Sequence, residues 1–209
     1  QFHQFGVEAF GSNNPEQDTE IIAIAWRILS QCELEKETIL NLNSIGSQEC
    51  RNKYRIALKD YIQPYIKDFS QTSQHRFETN PLRILDTKSE KEQAILKEAP
   101  KISDYHTRND SSHFDSLIGF LKDISIPFSI NHKLVRGLDY YTGTVFEFNS
   151  DNLGSQDALL GGGRYNGLVE TLGGKHPCPD PKSPSLVTDG ITHSSFYVCP
   201  VRICCIVVS

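Results

Sequence analysis

Methionine is absent from the 209 residues, and Gln1 opens the chain, so the sequence reads as a piece of a longer product. A basic excess is also lacking: 21 Lys and Arg stand against 26 Asp and Glu, a net charge of −5. No global positive field advertises nucleic acid, so any RNA contact must come from a local patch or from parts outside this chain. No apolar run approaches the ~20 residues that a membrane-spanning helix needs, and the start shows no secretory signal pattern. A membrane is therefore not an expected partner. The six cysteines include no C-x-x-C pair, and the seven histidines form neither a triad nor an H-E-x-x-H pattern. Adjacent Cys204 and Cys205 make poor ligand geometry, so no protein-held metal is expected. Cys32 and Cys50 stand alone and read as small buried residues of a reducing compartment, which makes the expected location cytoplasmic.

What is present is enough apolar material, 38% of residues, for one substantial core or a core with a smaller module. The stretch "QFHQFGVEAFG" (1–11) alternates as a strand, with Gln4 and Glu8 on one side of it. Asn14, Pro15 and the acids after them start a helix whose apolar stripe holds Ile21, Ala25, Ile28 and Leu29. "TILNLNSIG" (38–46) returns as a strand. From 51 to 132 the texture is mostly helical, with thirteen Lys and Arg against eleven Asp and Glu. This segment reads as an inserted helical module, mildly positive between acidic flanks. "IPFSINHKL" alternates Phe128, Ile130, His132 and Leu134 as a strand returning to the sheet. The pattern predicts an α+β fold, a mainly antiparallel sheet flanked by helices.

"KLVRGLDYYTGTVFEF" (133–148) places Arg136, Asp139, Tyr140 and Tyr141 at the mouth of a predicted hairpin, with its turn at or near Thr142-Gly143. A hairpin needs the turn and the alternation, but not the polar cluster. A lone arginine is by default a surface or core-capping residue; here Glu147, Arg164 and Tyr165 keep it company. A guanidinium offers a planar, permanently charged fork to phosphate or carboxylate, and phenols both donate and accept. Gly161, Gly162 and Gly163 match no generic phosphate loop. G-x-G-x-x-G fails at Asn166, and a Walker spacing fails at Val169 and His176. The alternative is a crowded backbone crossing that only glycine tolerates. After Gly174 four prolines fall within eight residues, and scattered cysteines follow.

Taken in order, "FHQFGVE", "LNSIG", "NPLRILDTK", "LVRGLDYYTGTVFEF" and "GGGRYNGLVETLGG" resemble histidyl-tRNA synthetase, a class II aminoacyl-tRNA synthetase, in its bacterial form. The resemblance covers about residues 1–177. It implies activation of histidine with ATP, used with Mg2+, to histidyl-adenylate, transfer to tRNA(His), and a homodimer. By resemblance Gln4 contacts the α-groups of histidine, Glu8 and Tyr141 take the imidazole from opposite sides, and Tyr140 and Tyr165 line the pocket. Arg136 is the implied catalytic and ATP-contacting residue, against the α-phosphate and the histidine carboxylate. The implied organisation is 1–50 and 133–177 as catalytic core, 51–132 as helical insertion, and 178–209 as a disordered or frameshifted tail outside the family. The family's first motif, the ATP-gripping arginine of motif 2, the third motif and the anticodon-binding domain are missing from the string. The isolated chain is therefore expected to be inactive. The other classes weighed are a catalytically silent regulatory relative that senses histidine and a tRNA-binding module.

Overall fold

A computed structural model describes residues 6–9, 12–136, 140–150, 158–173 and 203–207. Among the described residues six strands form one sheet: β1 (Gly6–Glu8), β2 (Thr38–Ser44), β3 (Phe128–Ile130), β4 (Thr144–Ser150), β5 (Ala158–Arg164) and β6 (Ile203–Val207). Their order is β1-β6-β5-β4-β2-β3. Every pairing is antiparallel except β2 with β3. This is the α+β sheet that the sequence predicts. β6 comes from the stretch assigned to a tail; residues 178–202 of that stretch lie outside the described residues.

Period-two alternation gives the sheet two unlike faces. Leu40 pairs with Phe148 and Leu42 with Phe146. These four and Leu160 are each at most 2% exposed. They pack on Ile21, Ile22, Ala25 and Leu29 of helix α1 (Pro15–Gln31) and on Leu117 and Leu121 of helix α5 (Arg108–Asp123). Burying one such side chain stabilises by about 1.5–3 kcal/mol. The opposite face carries Asn41, Asn43, Val145, Glu147, Gly161 and Gly163. A second core lies on that side. Helix α2 (Gln48–Ile62) brings Tyr54, Leu58 and Ile62, α3 (Gln71–Thr79) brings Phe77, and α4 (Glu90–Leu96) brings Leu96. These residues join Val145, Tyr141 and Tyr165. The helical stretch 51–132 thus contributes to both faces, with α5 beneath the sheet and α2 to α4 above it.

Local chemistry sets the element ends. Asn14 starts α1 in extended conformation with Pro15 following, but its side chain makes no cap bond. α2 ends at Ile62, and Pro64 falls in the 3-10 turn Gln63–Asp68. Thr107 and Asp110 form a reciprocal capping box on α5. The Asp110 carboxylate also accepts from Ser47 N (2.9 Å) and Ser47 Oγ (3.0 Å), so it joins the starts of α2 and α5.

Three expectations need correction. Thr142-Gly143 does not close a hairpin. Gly143 turns with φ +63°, and β4 beyond it pairs with β2, a hundred residues earlier, and with β5. Gly143 N donates to Gly46 O at 3.0 Å and Ile45 N to Gly143 O at 2.8 Å, so long-range pairing uses the groups a local hairpin needs. β3 stops at Ile130 rather than running to Leu134. There Asn43 Nδ2 donates to the His132 and Leu134 carbonyls at 3.3 and 2.9 Å and draws the chain off the ladder. Cys50 is buried, but Cys32 is exposed because it caps the C-terminus of α1.

Candidate functional site

The site is built on the polar face of the sheet. Asn41, Glu147 and Gly161 lie in direct register across β2, β4 and β5. Arg136 lies along this row. Its Nη1 donates to Glu147 Oε2, and both side chains are about one-fifth exposed, at 22% and 21%. A Cβ on Gly161 would stand 2.5 Å from Arg136 Nη1 and 2.8 Å from Cζ, so the bare backbone is what lets the guanidinium lie down. Glu147 is itself held: Asn149 Nδ2 donates to Glu147 Oε1 at 2.8 Å, and Asn41 Nδ2 donates to Asn149 Oδ1 at 2.9 Å.

Two residues along β5, Gly163 repeats the device for an aromatic ring. A Cβ there would meet the Thr144 carbonyl oxygen at 2.7 Å and Tyr141 Cδ1 at 2.9 Å. The ring centroids of Tyr140 and Tyr141 are 4.8 Å apart, those of Tyr140 and Tyr165 5.5 Å, and those of Tyr141 and Tyr165 6.2 Å. Tyr141 and Tyr165 are almost fully buried, and Arg51 of α2 donates to the Tyr141 carbonyl. The Tyr165 hydroxyl donates to Glu8 Oε1. Glu8 and Gly163 both align with Cys204 of the intervening β6. Two strand spacings put their backbones about 10 Å apart. Arg136, Tyr140, Tyr141, Tyr165 and Glu8 thus gather over one patch of sheet. Gln4 and Asp139 lie outside the described residues.

Arg164, grouped with this cluster in the sequence, is built into the other face. Its Nε donates to Asp18 Oδ1 at 3.0 Å, and its Nη atoms donate to the carbonyls of Ser12 (3.1 Å) and Asn14 (3.0 Å). Arg164 and Asp18 are 4% and 1% exposed, so the pair fastens the start of α1 to β5. Burial alone would raise the Asp18 pKa. The His113 hydrogen bond, the Arg164 charge and hydrogen bond, and the Thr144 hydroxyl outweigh it and hold the carboxyl below its ordinary 3.8.

Of the Asn41–Asn149–Glu147 support, the sequence reading groups Glu147 with Arg136 but does not single out the two asparagines. The whole set was legible in principle: alternation in "TILNLNS" and "TVFEFNS" puts Asn41, Glu147 and Asn149 on the face opposite the leucines and phenylalanines.

Such a site offers one oriented cation, phenols and a carboxylate in a half-buried space, which suits a small polar zwitterion. Comparison with known proteins identifies the family. The family model described as Histidyl-tRNA synthetase matches residues 1–179. A histidine–tRNA ligase of Ehrlichia canis is 47% identical over 174 residues, covering 83% of this chain and 42% of that protein. The apo histidyl-tRNA synthetase of S. aureus superposes with a TM-score of 0.67 at 33% identity, over 100% of this chain and 45% of its own. A Bacillus halodurans structure described as ATP phosphoribosyltransferase regulatory subunit/histidyl-tRNA synthetase shares the fold, with a TM-score of 0.57 at 19% identity over 99% of this chain and 51% of its own. The chain spans less than half the length of the E. canis relative. Its sheet, its site motifs and these matches agree: the chain belongs to the histidyl-tRNA synthetase family.

Proposed function

We propose that the polar face binds histidine and forms the amino-acid half of a histidine-activating site. The observation that carries this reading is the placement of Arg136 and Tyr141 on Gly161 and Gly163, with Glu8 tied to Tyr165 beside them. Imidazole presents two nitrogens in opposite directions. The other oxygen of Glu8 accepts from one and the Tyr141 hydroxyl meets the other, while Gln4 takes the α-groups and Tyr140 and Tyr165 wall the ring. A competing side chain leaves these polar groups unpaired, which gives strong rejection.

ATP enters as its Mg2+ complex, as substrate. A carboxylate oxygen of histidine attacks the α-phosphorus, a new P–O bond forms, and the bond to pyrophosphate breaks. Negative charge builds on the phosphoryl oxygens, and Arg136 is placed to stabilise it. Transfer to tRNA(His) by a cytoplasmic homodimer follows from the same reading. The relatives are more than twice as long as the stretch they share with this chain. We accordingly assign histidine binding to these 209 residues and the complete exchange reaction to the longer arrangement.

Calorimetric titration with histidine tests the pocket. One saturable site is expected, weakened about tenfold or more in Glu8→Ala and Tyr141→Phe, since each removes a hydrogen bond to a buried polar ligand. Equal affinity in both variants defeats the assignment. Histidine-dependent ATP–pyrophosphate exchange by the 209-residue chain at a rate typical of the longer relatives defeats the division of labour. Binding of RNA without histidine points instead to a tRNA-binding module.

A further inference from the structure

We propose that Glu147 is the positioning residue of the site: it sets the plane of the Arg136 guanidinium so that the remaining N–H edge faces the ligand carboxylate. This rests on the histidine-pocket reading and adds to it a part that touches no substrate.

An arginine side chain has several rotatable bonds, so a cation that must meet a small carboxylate gains from being held beforehand. Here the holding is built in layers. Glu147 projects from the middle of β4, in register with Asn41 on one side and Gly161 on the other. One of its oxygens accepts from Asn149, which is fixed by Asn41, and the other accepts from Arg136. Gly161 leaves the space into which the guanidinium is laid. Among the described residues, the hydrogen-bond partner recorded for Arg136 is Glu147, through Nη1. Nε and Nη2 meet no acceptor among the described residues, which leaves them for a ligand.

A carboxylate beside a cation can act in two opposed ways. If Glu147 merely neutralised Arg136, its removal would strengthen the pull on an anionic ligand. If Glu147 orients Arg136, its removal weakens binding although the net charge of the site becomes more positive. The sign of the change therefore separates orientation from charge balance.

The test uses the 209-residue chain, its Glu147→Gln and Glu147→Ala variants, and histidine beside histamine, which has the imidazole and amine but no carboxylate. In the nitrogen-15 spectrum, the Arg136 side-chain N–H of the unaltered chain is expected to be ordered. It should loosen partly in Glu147→Gln, whose amide oxygen still accepts, and fully in Glu147→Ala. Histidine affinity should fall about tenfold in Glu147→Ala, and less in Glu147→Gln. Histamine affinity should not move, which a general loss of structure could not produce. An Arg136 signal that stays ordered in Glu147→Ala overturns the proposal, as does an unchanged or increased histidine affinity, or an equal fall for both ligands. If the unaltered chain binds no histidine, the pocket reading is what fails; the Arg136 signal then decides the positioning role by itself.

Discussion

At the scale of single residues, the buried carboxylate of Asp18 shows how much of the site depends on groups that never reach it. Asp18 accepts from Thr144 Oγ1 at 2.6 Å and from Arg164 Nε at 3.0 Å, and it is hydrogen-bonded to His113 Nε2 at 2.8 Å. Three elements, α1, α5 and β5, and the first residue of β4 converge on it. Arg164 immediately precedes Tyr165, so the position of that candidate-site ring is anchored from behind the sheet. Replacing Asp18 by Ala leaves the Arg164 charge buried without its counterion. The expected loss is about 3–5 kcal/mol. Replacing both, with Asp18→Leu and Arg164→Met, should cost less than Asp18→Ala alone, because no uncompensated charge remains. Urea unfolding of the three proteins checks the order; a double variant less stable than Asp18→Ala contradicts it.

At the scale of the element, β5 carries two glycines that fail differently when given a side chain. At Gly161 the added Cβ meets the far end of Arg136, a flexible group that can swing aside. At Gly163 it meets the Thr144 backbone carbonyl at 2.7 Å, inside the β4–β5 ladder. Gly161→Ala is therefore expected to change stability by less than about 1 kcal/mol while lowering histidine affinity; Gly163→Ala is expected to destabilise by about 1–3 kcal/mol. Denaturant midpoints beside histidine titrations separate the two, and equal stability losses would refute the distinction. The same strand marks the limit of what the string of residues discloses. The glycine run could be read as a tight crossing or as a ligand loop, and it proves to be a crossing that holds the candidate site residues. The faces of β2 and β4 were legible because leucines and phenylalanines alternate with asparagine and glutamate. The partner of β4 was not: β2 lies a hundred residues away, and only the fold brings Asn41 beside Glu147. Arg164 and Arg136 look alike in sequence, each beside a glycine and close to a tyrosine, yet they lie on opposite faces of the sheet. Periodicity across an irregular link cannot assign that difference, since one residue of slip reverses every side chain.

At the scale of the whole molecule, each core and the join between them holds a carboxylate that works only when ionised, and acid should take the molecule apart through them. Asp18 fastens the back core, and Asp110 joins α2 to α5. Glu92 gathers Ser70 N (2.7 Å), Ser73 Oγ (2.7 Å) and Thr87 within the helical layer. For each, burial pushes the pKa up, but the accepted hydrogen bonds outweigh it. The folded values lie below the ordinary 3.8 of aspartate and 4.5 of glutamate. A depressed folded pKa means that the stabilisation is complete above the unfolded value and lost as pH falls through the folded one. His132 adds an earlier loss. Its burial, and next the Lys101 charge, hold its pKa below 6.5, so the neutral ring contributes fully above that pH and less beneath it. Unfolding free energy should therefore sag gently below about pH 6.5 and steeply below about pH 4. Asp110→Asn removes one of the steep contributions and leaves His132 untouched. Its stability should lie below that of the unaltered chain at pH 6, follow the same gentle sag, and close the gap progressively as pH falls below 3.8. Denaturant titrations at pH 6, 4.5, 3.5 and 2.5 provide the comparison. Curves that stay parallel to the lowest pH would show that the Asp110 bridge between the helix starts carries no ionisation-dependent stability.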